Sequence, residues 1–192
     1  YIACSPSEVS LLRSEFKVCS ANMIFAPNYR DFEGNKPEPY LKKQHDFLYV
    51  GRIVQEKGVG KLTEIYSSLG ISDRLTCVGS GTDLDYLKST YPEITFLGHL
   101  EHEDVLKLLP KSKFIISNSQ IEGLPYSVLE AMNAGVVPIL SSVPGHRDLV
   151  IPGVTGVLFN STEEMGDILF KVLNFDIKIY NEMSNNVIKF SK

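Results

Sequence analysis

The sequence predicts an α/β fold in which helices cover both faces of a parallel β-sheet. Short apolar segments alternate with segments of helical period along most of the chain, a pattern typical of β-α-β units. Few polar residues interrupt the apolar segments, which indicates strands buried on both faces. The length of 192 residues fits one domain of about 150 residues with an extension.

The composition excludes several classes of protein. Hydrophobic residues make up 43% and charged residues 22% of the sequence, which argues against a disordered or coiled-coil protein. The net charge of −4 argues against a nucleic-acid partner. Three scattered cysteines without a C-x-x-C pair predict neither a disulfide framework nor a zinc site. No secretory signal is recognisable, so we expect a cytoplasmic location. The chain starts at Tyr1 rather than at a methionine, and we expect it to be cut from a longer protein.

Residues 1–45 are predicted to lead into the main domain. Ser5 can cap a helix, Pro6 suits its first position, and Glu8 completes a capping box. Two short strands and a linker rich in Pro and Gly are predicted around this helix, at 1–4, 22–26 and 30–45.

The main domain is predicted at 46–175, with a carboxy-terminal helix at 176–192. In its first helix Val59, Leu62, Ile65, Tyr66 and Leu69 form one apolar face. The strands are predicted, in chain order, at 47–50, 74–78, 94–97, 114–116, 136–140 and 156–159. The helices are predicted at 59–69, 83–89, 103–109, 125–134, 162–173 and 177–190.

A sheet of this kind binds ligands beyond the carboxyl ends of its strands, at the point where the strand order reverses. The loops that would carry a site are 51–58, 79–83, 98–103, 117–125 and 141–148. The loop 117–125 and the helix after it are the most informative part of the sequence.

The start of this helix is a candidate phosphate cradle. Pro125 suits the first helical position and Gly135 suits a left-handed stop just past the end. The capping position then falls on Leu124, which cannot accept a hydrogen bond, so the first-turn amides lack a cap. These amides, which could bind phosphate at the ligand edge of the sheet, belong to Tyr126, Ser127 and Val128. Alternatively, water, Glu122 or the Ser127 hydroxyl satisfies them.

Two carboxylates flank this helix start. Glu130 is the only charged residue between 126 and 140, so we expect it to be at least half-buried and in need of donors, such as ribose or sugar hydroxyls. The alternative is an exposed helix position. Glu122 precedes the helix, and helical rise separates the two carboxylates by roughly 7–12 Å. Hydroxyls at both ends and phosphates between them would fit a nucleotide sugar.

The same residues resemble the signature of glycosyltransferase family 4. Seven residues separate Glu122 from Glu130, and Ala131-Met132, Gly135 and Pro138 follow. The resemblance covers residues 46–170 and implies a retaining, nucleotide-sugar-dependent enzyme. It further implies that the chain is the donor-binding half of a GT-B fold, and that Glu122 holds the donor sugar while Glu130 holds the ribose. Gly123 and Leu124 would also line this site.

The loop after the first strand of the domain resembles the strand–GR–x4–KG loop of that family. It contains Gly51, Arg52 and Lys57, and the two cations would neutralise a diphosphate. Arg52, Lys57 and Glu122 are the predicted catalytic residues. The two cations would stabilise the leaving group, an effect that grows as the glycosidic bond breaks.

Three further loops are less specific. Gly79 could approach a ligand or simply form a tight turn, and the main chain at His99 and Leu100 resembles the family's base-binding turn. Asp83 and Asp85 resemble a metal-binding D-x-D, but they suit a helix start better. We therefore predict no metal, and interpret His99 and His102 as surface imidazoles. In 141–148, Pro144 replaces a family glycine and Asp148 stands where the family has Glu, so few ligand contacts are expected there.

The resemblance thus predicts a metal-independent glycosyltransferase that uses a UDP-, GDP- or ADP-sugar, with no other cofactor, in surface polysaccharide or glycan synthesis. Its implied partner is an amino-terminal acceptor domain, through which the enzyme could associate with the inner face of a membrane. Two alternatives remain open: a nucleotide-sugar epimerase of the same fold, and a non-catalytic nucleotide-sugar-binding module.

Overall fold

The computed structural model describes residues 2–25 and 37–191. The strands are β1 Ile2–Ala3, β2 Ile24–Phe25, β3 His45–Val50, β4 Leu75–Val78, β5 Thr95–Gly98, β6 Ser112–Ser117, β7 Val137–Ser141 and β8 Val157–Phe159. The helices are α1 Pro6–Ser14, α2 Val59–Ser68, α3 Leu84–Thr90, α4 His102–Leu108, α5 Tyr126–Asn133, α6 Pro144–Arg147, α7 Thr162–Leu173 and α8 Ile177–Phe190.

Six of the strands form one parallel sheet in the order β5-β4-β3-β6-β7-β8. Consecutive residues of β4 and β7 are all buried, as helices on both faces require. The predicted fold class is therefore confirmed. Because the chain winds outward from β3 in one direction and from β6 in the other, the strand order reverses between these two strands. The loops after β3 and β6 meet there.

Aromatic side chains join the sheet to its helices. The rings of Phe47 on β3 and Phe114 on β6 stack at a centroid distance of 5.3 Å. Tyr66 of α2 meets Phe47 edge-on, and Tyr180 of α8 meets Phe114 edge-on. The carboxy-terminal helix therefore packs on the core of the sheet.

The amino-terminal segment forms its own small unit, in which β1 and β2 pair in parallel. Ser5 caps α1 by accepting from the Glu8 amide, and Pro6 is the first helical residue, as predicted. The start of α1 is tied to the main domain because the Ser7 amide and hydroxyl donate to Asp148, at 3.0 and 2.8 Å.

Several element bounds differ from the sequence prediction. A single 3-10 turn at Ser20–Asn22 precedes β2, and another occupies Tyr40–Lys42 within the predicted linker. β3 begins two residues earlier than predicted, at His45, and the helix α6 was not predicted. Positions 1, 26 and 30–36 of the predicted strands and linker lie outside the described residues. No helix within 2–25 or 37–191 is long and apolar enough to cross a membrane.

Candidate functional site

The loop after β3 is held by backbone contacts at the carboxyl edge of the sheet. The Gly51 amide donates to Val78 O, and the buried Tyr49 hydroxyl donates to Arg52 O at 2.6 Å. Burial raises the pKa of Tyr49, so this hydroxyl stays protonated as a donor. A 3-10 turn at Gln55–Lys57 then ends at Gly58, whose φ is +67°. A Cβ on Gly58 would lie 2.2 Å from Asn118 O, so this loop packs directly on the loop after β6.

This packing brings Lys57 to Glu122. Lys57 Nζ lies 2.6 Å from Glu122 Oε1, and the Ser119 hydroxyl donates to the same oxygen at 2.7 Å. The two charged side chains are only 19% and 13% exposed. Within the described part of the chain both donors contact Oε1, and Glu122 Oε2 is able to accept from a ligand.

The first turn of α5 lies beside this pair and lacks a side-chain cap. The capping residue is Pro125, with φ −69° and ψ 120°, so the assignment of the cap to Leu124 was wrong by one position. Pro125 suits both positions, since its ring fixes φ near the same value in each. The alternative prediction was that Glu122 or the Ser127 hydroxyl satisfies the first-turn amides. Neither side chain caps the helix.

The candidate phosphate cradle offers fewer amides than the sequence predicted. The Val128 and Leu129 amides both donate to Pro125 O at 3.2 Å. The assignment of the Val128 amide to phosphate is therefore corrected, because that amide already has a backbone acceptor. Among the described residues, the amides of Tyr126 and Ser127 have no hydrogen-bond acceptor, so these two could donate to a ligand at the start of α5.

These groups enclose a cavity of about 410 Å³. Its walls come from β3, the loop after it, the end of β6 and the first turn of α5. Of the predicted site residues, the structure brings together seven around this cavity: Gly51, Arg52, Lys57, Glu122, Tyr126, Ser127 and Val128. A cavity of this size is suited to a small ligand.

Arg52 reaches the cavity from its rim. Its Nη2 lies 2.5 Å from Glu56 Oε1, and both side chains are more than 60% exposed. An exposed ion pair contributes only about 0–1 kcal/mol, so Arg52 can exchange Glu56 for an anionic ligand at little cost.

Backbone conformation and close packing explain why residue 79 is a glycine, and no ligand contact is needed to explain it. Its φ is +137°, and a Cβ there would lie 1.8 Å from Gly51 O. The Gly79 amide donates to Gly98 O at 2.7 Å, so the ends of β3, β4 and β5 are held side by side. In the loop after Gly98, the side chain of His99 is exposed and Leu100 packs partly against the core.

Glu130 is buried, with 6% of the side chain exposed, as its apolar surroundings predicted. His102 Nε2, on the first residue of α4, lies 2.8 Å from Glu130 Oε1. The sequence predicted only a surface imidazole at His102, so this contact was not predicted. The sequence indicated that a buried carboxylate needs a hydrogen-bond donor. It did not indicate that His102 is this donor, because only the crossover from β5 to β6 places α4 beside α5.

The loop at 141–148 packs against the loop that carries Glu122. The Gly145 amide donates to Glu122 O, and a Cβ on Gly145 would lie 1.5 Å from Gly123 O. His146 is fully buried beneath it, with Nδ1 2.9 Å from Ser141 O. Burial lowers the pKa of His146, and among the described residues nothing partners its Nε2. This supporting contact could not be predicted from the sequence, because it is made by backbone atoms.

The Asp83-x-Asp85 pair lies at a helix start, as predicted. Asp83 precedes α3, and its carboxylate accepts from the Thr82 hydroxyl at 2.9 Å. Within 2–25 and 37–191, no three His, Cys, Asp or Glu side chains are grouped so that they could hold a metal ion.

Comparison with known proteins identifies the family. Residues 31–190 match the family described as glycosyl transferases group 1. The chain belongs to this family. It is 31% identical over 171 residues to an uncharacterized glycosyltransferase of Methanocaldococcus jannaschii, a match that covers 82% of this chain and 44% of that protein. It is 35% identical over 121 residues to glycogen synthase of Mycobacterium tuberculosis, covering 58% of this chain and 29% of that enzyme. The chain thus spans less than half the length of these curated relatives.

Solved structures of glycosyltransferases share the fold. Sucrose-phosphate synthase of Thermosynechococcus elongatus is 22% identical, with a TM-score of 0.83 over 99% of this chain and 52% of that one. Anabaena HepE, solved with UDP and glucose, is 18% identical, with a TM-score of 0.74 over 99% of this chain and 57% of that one. The fold of the chain is therefore that of one part of a GT-B glycosyltransferase.

Proposed function

We propose that the chain is the donor-binding part of a retaining, metal-independent glycosyltransferase that moves a sugar from a nucleoside diphosphate to an acceptor. The observation that carries this proposal is the convergence of the Lys57–Glu122 pair and the uncapped start of α5 on one cavity. The cavity lies where the strand order reverses, which is where such sheets bind nucleotides.

The diphosphate would bind at the start of α5. The Tyr126 and Ser127 amides and the positive end of the helix dipole favour an anion there. Lys57 would move from Glu122 Oε1 to a phosphate oxygen, and Arg52 would move from Glu56. Both cations would then stabilise the charge that develops on the leaving diphosphate as the glycosidic bond breaks. This supply of positive charge is the reason for proposing a reaction without a metal ion.

The sugar and the ribose would bind on opposite sides of that diphosphate. Glu122 Oε2 would accept from hydroxyls of the donor sugar, and Glu130 would accept from the ribose. The main chain at His99 and Leu100, with Gly79 beside it, would hold the base, and Gly123 and Leu124 would line the sugar side. Retention of configuration follows from the resemblance to glycosyltransferase family 4.

The names of relatives support a nucleotide-sugar donor. The relatives include a GDP-mannose-dependent alpha-mannosyltransferase of Mycobacterium tuberculosis, 31% identical over 110 residues. HepE was solved with UDP. An acceptor domain would complete the enzyme, and the acceptor would be a surface polysaccharide or another glycan made at the inner face of a membrane.

The test is to incubate the protein with UDP-, GDP- and ADP-sugars and measure release of nucleoside diphosphate in EDTA and in Mg²⁺, together with the anomeric configuration of the product. We expect one donor to be consumed, at equal rates in both buffers, with retention. Epimerised donor without release of diphosphate would instead indicate the epimerase. Binding without any turnover by the full-length protein would indicate a non-catalytic module.

A further inference from the structure

His102 contacts the buried carboxylate of Glu130 through a side-chain hydrogen bond. The two side chains belong to different helices, α4 and α5, and His102 Nε2 lies 2.8 Å from Glu130 Oε1. Glu130 is only 6% exposed, whereas His102 is 46% exposed. The imidazole therefore lies between solvent and the carboxylate.

The chemistry of this contact fixes how the carboxylate is oriented. When the carboxylate is ionised it only accepts hydrogen bonds, and the proton of the contact then belongs to Nε2. A carboxylate has about four lone-pair directions, and a bond from His102 to one of them is compatible with further donors. Because Glu130 is buried, the loss of this donor would be costly, so the imidazole helps to hold Oε1 in place.

The position of His102 in the chain gives this contact a second consequence. It is the first residue of α4 and follows the loop 99–101, whose main chain is the proposed base-binding turn. One imidazole therefore connects the loop that would hold the base to the carboxylate that would hold the ribose.

We propose that His102 is a positioning residue for the nucleoside: its Nε2–H orients Glu130 to accept from a ribose hydroxyl, and so makes binding depend on that hydroxyl. This inference rests on the proposed function, in which Glu130 holds the ribose. It predicts that His102 affects ribonucleotides and leaves deoxynucleotides nearly unchanged.

The experiment is calorimetry of the protein with whichever of UDP, GDP or ADP binds most tightly, and with the 2′-deoxy and 3′-deoxy forms of that nucleotide. We expect the wild type to prefer the ribonucleotide over at least one deoxy form by about tenfold or more, the effect of a hydrogen bond to a charged group. His102→Ala should reduce this preference to less than about threefold by weakening ribonucleotide binding alone.

Two further variants separate positioning from folding. Gln places an amide nitrogen near the position of the imidazole Nε2, so His102→Gln should retain most of the preference. Glu103→Ala changes the next residue of the same helical turn, an exposed side chain, and should leave the preference unchanged. In a Glu130→Ala background, His102→Ala should have no additional effect on ribonucleotide affinity.

The outcomes distinguish a failure of this inference from a failure of the proposed function. A full ribose preference in His102→Ala, or its equal loss in His102→Gln, would overturn the positioning role. If Glu130→Ala abolishes the preference while His102→Ala preserves it, the proposed function stands and only this inference fails. If no nucleotide binds to the wild type, or if Glu130→Ala leaves the preference intact, the ribose site fails and this inference with it.

Discussion

Lys57 and Glu122 are 65 positions apart in the chain, yet Nζ and Oε1 lie 2.6 Å from each other. Each follows one of the two central strands, β3 and β6, at the point where the strand order reverses. The pair is mostly removed from solvent, so it is more strongly coupled than the exposed pair of Arg52 with Glu56. In the proposed function, a diphosphate that binds Lys57 would leave Glu122 available for the donor sugar.

Lys57→Ala should weaken nucleoside diphosphate binding by about 10- to 100-fold and leave nucleoside binding nearly unchanged. The physical reason is the loss of a charged hydrogen-bond donor to phosphate and the exposure of the Glu122 charge to the ligand. Arg52→Ala should cost less, about threefold to tenfold, because its side chain is exposed. Calorimetry with both ligands measures the ratio.

The matched control for Lys57 is Lys61→Ala. Lys61 is 64% exposed and pairs with Glu64 on the outer surface of α2. Its replacement should leave both affinities within about twofold of the wild type. Equal losses of diphosphate and nucleoside binding in Lys57→Ala would contradict the role assigned to Lys57.

Glu122→Gln should separate the sugar from the diphosphate. The amide oxygen can still accept from Lys57 and Ser119, but the carboxylate that would hold sugar hydroxyls is lost. We expect turnover of the intact donor to fall by about tenfold or more, while affinity for the nucleoside diphosphate stays the same or rises as negative charge leaves the cavity. Glu64→Gln, on the exposed face of α2, is the control. A parallel fall in both quantities would show that Glu122 has no specific role toward the sugar.

Gly145→Ala should destabilise the protein by about 1–3 kcal/mol and weaken donor binding. A Cβ at this position would lie 1.5 Å from Gly123 O, so α6 must move away from the loop that carries Glu122. Gly166→Ala is the control, because that Cβ would lie in open space within α7. It should raise stability by about 0.5–1 kcal/mol through helix propensity. Denaturant unfolding measures the stability of both variants. Unchanged stability of Gly145→Ala would show that Gly145 does not pack tightly against Gly123 O.

His146 makes stability depend on pH in the acid range. Burial lowers its pKa in the folded state below the ordinary value of 6.5, so the unfolded chain takes up a proton first as the pH falls. Stability is therefore fully present above about pH 6.5 and decreases from there toward the lowered pKa, by at most about 1.4 kcal/mol per pH unit for one group. Urea unfolding at several pH values should show a shallower pH dependence for His146→Leu than for the wild type. Identical pH dependence would exclude His146 as the cause. The residual slope includes His45, whose pKa burial also lowers.

The fold could be predicted from the sequence because it depends on local signals. The apolar strands, the helix cap at Ser5 and the left-handed Gly135 each depend on a few neighbouring residues. The burial of Glu130 could also be predicted, since no other charge occurs between 126 and 140.

The side-chain partners within the site could not be predicted in the same way. The contacts of Lys57 with Glu122 and of His102 with Glu130 join distant parts of the chain, and only the strand order determines which loops meet. The helix α6 and its contact through Gly145 escaped prediction because the deciding interactions are between backbone atoms. The position of the α5 cap shifted by one residue because Pro125 satisfies either position.

The central claim is that the first turn of α5 holds the diphosphate, and amide NMR tests it most directly. Titration with the nucleoside diphosphate that binds should produce its largest amide shift changes at Tyr126 and Ser127, while the corresponding nucleoside should leave these two amides nearly unchanged. Shift changes of equal size with both ligands, or changes concentrated away from the start of α5, would contradict the account.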